Sequence, residues 1–350
     1  MEDMLQQERE ERIHTQDSPP LDPSLAPILV FGSGHGGVEA GEETTTNDGS
    51  GTSGFLYSIP KRQLLPAAGF GYLNSDASWI TPQGWVLTLD PRTRDACLRD
   101  PFTSGAVVPL PRDREGLLPS NNEHSRCLLS TRRPADDPAG CVVLVLHLGR
   151  PVLWHCSCGS PGPGLPSPSW SRHEYPSELI TASSRGVAMW DMSMLTAARG
   201  RFYTSVVSDD RLVTLEFSPA GRPVFSTPRA AITPWLSGCF RVGLVESRGD
   251  LFAVRFSLEL ARGKGVVDIF VYKLVFSDNA WVKVAQLGDS RVFFLGKGTV
   301  GASMAAEVGL KENCIYFTNE DDKGLYVYDM EQGSITLHNP APAPQPAPAP

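Results

Sequence analysis

The residues best able to do chemistry fall in a few short stretches. Gly32-Ser33-Gly34-His35-Gly36-Gly37 follows the apolar run Ile28-Leu29-Val30-Phe31 and has GxGxxG spacing. A dinucleotide site needs that turn to open a helix whose N-terminus meets the pyrophosphate. Here Val38-Glu39-Ala40 runs into a stretch of Gly, Glu, Thr, Asn and Asp from Gly41 to Gly51, which cannot sustain a helix. The next apolar run, Phe55 to Ile59, is followed by Pro60-Lys61-Arg62 and not by an acidic ribose ligand. A connecting loop is the expectation, and no cofactor.

His155, Cys156, Cys158 and His173 carry atoms that zinc accepts, but Cys-Ser-Cys lacks the two to four intervening residues of a structural knuckle. In a strand, Cys156 and Cys158 share one face and His155 takes the other. No metal is expected. Glu320-Asp321-Asp322, before Lys323-Gly324, does not match a calcium loop and reads as a solvated turn. No nucleophile elbow supports Ser-His-Asp catalysis. The expectation is therefore a protein that is not an enzyme, with no catalytic, cofactor-binding or metal residue.

The elements around these residues are short and strand-like. Trp85 to Leu89, Cys141 to Leu148, Pro151 to Trp154, Arg211 to Phe217, Leu251 to Phe256, Val267 to Phe276, Cys314 to Thr318 and Leu325 to Met330 join the two runs already named. They are rich in β-branched and aromatic residues and are flanked by Gly, Pro, Asp and Asn. The modest helix candidate is Ser303 to Val308. Hairpins recur: Phe270 to Phe276 turns through Ser277-Asp278-Asn279-Ala280 into Trp281 to Ala285, and Leu325 to Met330 turns through Glu331-Gln332-Gly333 into Ser334 to Leu337. Many antiparallel hairpins over a long all-β chain suit a β-propeller of six or seven four-stranded blades. The single Trp190-Asp191 is no WD repeat.

Residues 1–26 read as a disordered polar segment with only Leu5 and Ile13 as apolar anchors in its Glu/Gln/Arg-rich stretch, and 27–338 as one propeller domain. Residues 339–350, rich in Pro and Ala, read as a disordered extended tail. Charge and composition exclude further classes. The 350 residues carry a net charge of −8, so the basic footprint of a nucleic-acid binder is missing. No run reaches 18 consecutive apolar residues, and the N-terminus lacks a secretory signal pattern. The 7 cysteines are odd in number and scattered, several within apolar runs, which reads as reduced core thiols in cytoplasm or nucleus.

Several stretches resemble the plant F-box-associated β-propellers, a domain of unknown function whose best-known members are F-box proteins that restrain a brassinosteroid-pathway kinase. The most specific block runs Trp281-Val282-Lys283-Val284, Leu287 to Gly296, Gly309 to Thr318 and Val327 to Ile335. Supporting matches are Gly84 to Pro91, Asp100 to Gly105, Val108 to Pro111, Val152 to Cys156, Trp170 to Tyr175 and Gly200 to Thr204. The resemblance implies the substrate-recognition half of a ubiquitin-ligase receptor. Family members carry an N-terminal F-box that binds a Skp-type adaptor; residues 1–26 offer neither its Leu-Pro start nor an apolar helical face. The leading expectation is thus a non-catalytic protein-interaction propeller lacking an F-box, with an unidentified protein partner. A working ubiquitin-ligase receptor is the alternative, and a ligand-binding or enzymatic propeller the third. The variable loops 112 to 138 and 157 to 180 are where a partner is expected, since loops on a rigid scaffold carry function. The first holds Arg112, Arg114, Arg126, Arg132 and Arg133.

Overall fold

A computed structural model describes residues 20–31, 55–66, 70–73, 75, 77–103, 106–122, 124–137, 140–159, 168–175, 195–205, 212–218, 221–226, 240–258, 266–296, 299–318 and 324–338. The glycine run 32–37, the acidic cluster 320–322, Trp190-Asp191, most of 157–180, residues 1–19 and the tail 339–350 lie outside them.

The strands form six sheets in chain order. Blade 1 holds β1 (Ile28–Phe31), β2 (Phe55–Ser58) and β3 (Gln63–Pro66). Blade 2 holds β4 (Ser78–Ile80), β5 (Val86–Leu89), β6 (Ala96–Arg99) and β7 (Val107–Pro109). Blade 3 holds β8 (Ser125–Leu129), β9 (Val142–His147), β10 (Val152–Ser157) and β11 (Ser171–Glu174). Blade 4 holds β12 (Thr196–Ala198), β13 (Arg201–Ser205), β14 (Leu212–Phe217) and β15 (Pro223–Ser226). Blade 5 holds β16 (Phe240–Ser247), β17 (Asp250–Leu258), β18 (Val266–Val275) and β19 (Ala280–Val284). Blade 6 holds β20 (Arg291–Gly296), β21 (Thr299–Met304), β22 (Cys314–Thr318), β23 (Leu325–Asp329) and β24 (Ser334–Leu337), with the one-turn helix α1 (Ala305–Val308) after β21.

The protein is an all-β propeller of six blades. Its alternating side chains explain why strand runs look continuously apolar. In β9, Val143 and Val145 pack toward blade 2, whereas Leu144 and Leu146 pack toward blade 4. Both faces of a blade are therefore buried, and the usual apolar-polar alternation of a half-exposed strand is lost. The same division in β17 sends Phe252, Val254 and Phe256 toward blade 6, and Leu251 and Ala253 toward blade 4. Each of the six seams holds its own apolar cluster, including Tyr57, Ile59, Cys314 and Tyr316 between blades 6 and 1. That last seam closes the ring.

The blades are not uniform in strand number. Blade 1 shows three strands among the described residues, and blade 6 shows five in the order β21-β20-β22-β23-β24. β22 runs parallel to β20, whereas every strand pair of the other five sheets is antiparallel among the described residues. β21 is the innermost strand of its sheet and lies against β16 of blade 5. On its other side, a Cβ on Gly301 would stand 3.9 Å from the Pro82 carbonyl oxygen of blade 2. The surplus strand of blade 6 thus reaches the neighbourhood of blade 2 at the channel.

Residues 20–26, grouped with the polar N-terminal segment on sequence grounds, are placed against the fold. Leu21 is buried and donates its N–H to the Pro101 carbonyl at 2.8 Å, and Asp22 caps a 3-10 turn over Pro23–Leu25. The helix expected at Ser303 to Val308 is α1, one turn long and ended by Gly309 at φ +63°.

Candidate functional site

The loop expected over 112 to 138 is in fact two loops separated by the buried strand β8. Before β8, residues 110–118 brace against the turn at 90–95. The Asp113 side chain is fully buried and pairs with Arg94 Nη2. Its two oxygens also accept the Leu117 N–H at 2.7 Å and the Leu118 N–H at 3.1 Å. Arg94 itself adopts φ +61° to reach it. Arg112 Nε donates to the Thr93 carbonyl at 2.6 Å, so the two segments form one braced ledge. Arg114 and Glu115 project from it into solvent.

After β8, Arg132 lies at the mouth of the central channel. Arg132 leaves blade 3 and crosses that mouth. Its Nε meets Glu246 Oε2 at 2.7 Å and its Nη2 the Glu246 carbonyl at 2.9 Å, while Nη1 reaches the Ala302 carbonyl of β21 at 3.4 Å. Gln83 of blade 2 bonds Leu129 twice: its amide donates to the Leu129 carbonyl at 3.0 Å and accepts the Leu129 N–H at 3.2 Å. The space framed by Gln83, Arg132, Thr196, Glu246 and Gly301 is about 230 Å³, its open mouth included. A bidentate arginine and a bidentate amide therefore tie blades 2, 3, 5 and 6 across the axis. Arg132 is half-exposed, so solvent screening limits its worth. Arg132→Ala is expected to cost about 1 kcal/mol in urea unfolding. Hydrogen exchange should quicken in β16 and β21 more than in β9.

Of the five arginines in the basic run only Arg126 is buried, and three of the exposed ones are paired with acids. Arg112 lies 3.6 Å from Asp95, Arg133 3.5 Å from Asp136, and Arg126 is buried. The run presents mixed charge rather than a cationic patch.

The histidines and cysteines separate as their strand positions require. Cys127, Cys141, Cys156 and Cys158 are buried on the blade 2 side of blade 3 with Trp154 and Trp170, unlinked by disulfides. Burial, with neighbouring thiols, drives the Cys127 and Cys156 thiols far above the usual range, and a hydrogen bond to Cys141 does most for Cys158. Such thiols are poor nucleophiles. His155 and His173 lie on the opposite face, beside blade 4. Among the described residues no group of three His, Cys, Asp or Glu side chains is arranged to hold a metal ion.

At the seam between blades 6 and 1, His338 reaches the Ile59 carbonyl at 3.3 Å. Burial holds its pKa below the ordinary 6.5, outweighing the hydrogen bond to Ile59. The unfolded chain then binds more protons, so this contribution is complete above pH 6.5 and is lost as pH falls through the depressed folded value. Thermal melting of His338→Gln should show a shallower fall in stability between pH 7 and pH 5 than the parent.

The specific C-terminal block proves to be architecture. Gly288, Asp289 and Ser290 take φ of +71°, +48° and +53°, a left-handed run that delivers Arg291 into the seam between blades 5 and 6. There Arg291, 4% exposed, donates to Asp250 Oδ2 at 2.9 Å and to the Leu287 carbonyl at 2.9 Å. Asn313 accepts the Leu287 N–H at 2.9 Å, which joins both halves of the block. No helix among the described residues is long and apolar enough to cross a membrane.

Comparison with a known protein family agrees with this architecture. The sequence profile of the KIB1-4 β-propeller family matches residues 56–329. An F-box protein of Arabidopsis thaliana is 27% identical over 168 residues, which cover 41% of this chain and 40% of that relative. The match thus spans less than half of the relative's length. Among solved structures, a Lactobacillus plantarum protein aligns at 12% identity and TM-score 0.42 over 89% of this chain and 80% of its own. The dihydro-heme d1 dehydrogenase NirN aligns at 12% identity and TM-score 0.30 over 91% and 64%. At those scores neither structural likeness bears on function.

Proposed function

The chain belongs to the KIB1-4 β-propeller family, and on that premise we propose that it is a non-catalytic docking module that holds another protein through its loops. The observation that carries this reading is the channel mouth. Its place on the axis, where a ring could seat a ligand, is crossed by Arg132 and walled by β21. Recognition is then left to the periphery, where the ledge of 90–95 and 110–118 is held rigid by Asp113 and presents Arg114 and Glu115. A preorganised loop pays less ordering entropy on binding. The kinship with an F-box protein supports a role like the recognition half of a ubiquitin-ligase receptor.

Affinity purification of the full chain from native tissue tests the proposal. The expected result is one stoichiometric partner whose recovery falls at least about tenfold in the charge-reversed variant Arg114→Glu, Glu115→Arg, with melting temperature unchanged. Recovery of a Skp-type adaptor and a cullin would support the receptor reading instead. Strong thermal stabilisation by a small metabolite, with no protein partner retained, would overturn the docking reading.

A further inference from the structure

Between blades 3 and 4 one imidazole nitrogen lies within hydrogen-bond distance of a second imidazole and of a backbone carbonyl. His155 of β10 places Nε2 3.1 Å from Nε2 of His173 on β11. The same His155 Nε2 lies 2.8 Å from the carbonyl oxygen of Gly221, in the turn between β14 and β15. The imidazole planes are within 5° of parallel, and their centroids are 5.1 Å apart. Because the nitrogens are closer than the centroids, they point toward each other.

The strand register produces this arrangement. Leu153 stands opposite His173, so His155 is the diagonal neighbour of His173 on one face of the blade. Phe217 closes one side, its ring centroid 4.1 Å from that of His155. In the metal-free protein the Gly221 carbonyl can only accept, so His155 carries its one proton on Nε2, shared between that oxygen and the unprotonated Nε2 of His173.

We propose that His155 Nε2, His173 Nε2 and the Gly221 carbonyl form a site for a divalent first-row transition cation of the zinc, nickel or copper type. Donor separations of 3.1 and 2.8 Å are close to the edges, about 2.9–3.4 Å, of a shell with metal–nitrogen bonds near 2.0–2.1 Å. Two imidazoles select such ions over magnesium or calcium, which prefer all-oxygen shells. Binding moves the His155 proton from Nε2 to Nδ1, freeing the lone pair, and water completes the shell. Burial keeps both imidazoles on the neutral, ligating side of the ordinary histidine range, and Arg222 acts the same way on His173. The Arg222 charge also opposes a second cation, and the adjacent Glu174 is paired with Arg172 at 2.8 Å. The site is therefore weak and exchangeable, and when filled it ties the blade 3 rim to the blade 4 turn.

Titration of the full chain with Co(II) at pH 7.5, followed by visible d–d absorption, tests the site, with Zn(II) competition and calorimetry. One equivalent should bind in the micromolar range, Zn(II) should displace it, and Mg(II) should not. His173→Gln, at a half-buried position, should weaken binding at least about tenfold with an unchanged metal-free melting temperature. His147→Gln, outside these three groups, should leave binding intact. Absence of Co(II) or Zn(II) binding, binding undiminished in His173→Gln, or binding abolished by His147→Gln would each overturn the assignment.

Discussion

Asp113→Ala should be the most damaging polar substitution in the molecule, costing about 3–5 kcal/mol in urea unfolding. The carboxylate is fully buried and satisfies Arg94 and two backbone N–H groups. Truncation leaves Arg94 facing a cavity and orphans the amides of Leu117 and Leu118. Asp113→Asn keeps an acceptor in place and should cost less. The variant Arg94→Met, Asp113→Ala should lose less than the sum of its single changes, because the charge stranded by either one is then gone. If Asp113→Ala cost under about 1 kcal/mol, the ledge would not be pinned as described.

Arg291→Ala should follow, at about 3 kcal/mol. Arg291 is almost wholly enclosed, touching Asp250, Asp289 and the Leu287 carbonyl, with Phe252 5.4 Å beneath its guanidinium. Lys273 Nζ also holds Asp250 at 2.8 Å, so the carboxylate is not left wholly alone. This places the loss at the lower end of the range for a broken buried pair. Arg291→Lys keeps the charge but cannot bridge carboxylate and carbonyl at once, and should recover only part of the loss. Equilibrium unfolding of the three proteins in one buffer measures the order.

The central strands of the blades were legible from sequence because burial on both faces writes them as apolar runs: Cys141 to Leu148, Leu251 to Phe256 and Val267 to Phe276 all fall on strands. The edge strands were legible only where a hairpin turn led into them, as at β19 and β24. β11 reads Ser-Arg-His-Glu with half its side chains exposed, so neither apolar content nor turn chemistry marks it. β16 was missed although it is long, since Gly243 interrupts it and Arg241 and Glu246 dilute it. The glycine has a physical reason: a Cβ there would meet Leu295 Cδ2 at 2.4 Å. β8 lay hidden in the loop of 112 to 138, because its apolar residues Cys127, Leu128 and Leu129 are too few to stand out among arginines.

Site residues were harder still. Sequence spacing argued correctly that His155 and the two cysteines take opposite faces, but it could not show His173 arriving diagonally from the next strand. Nor could it show that Arg132, one of five arginines in a basic stretch, crosses to Glu246 and Ala302, 114 and 170 positions away. Contacts so distant in sequence leave no local pattern.

The surplus strand of blade 6 has a mechanical corollary. β21 lies next to blade 2, and among the described residues blade 1 contributes none of those framing the opening at Gln83, Arg132 and Glu246 and meets its neighbours through two apolar seams. Load applied at β1, as by a bulky partner tethered on that side, would strain those seams first and reach the pore last.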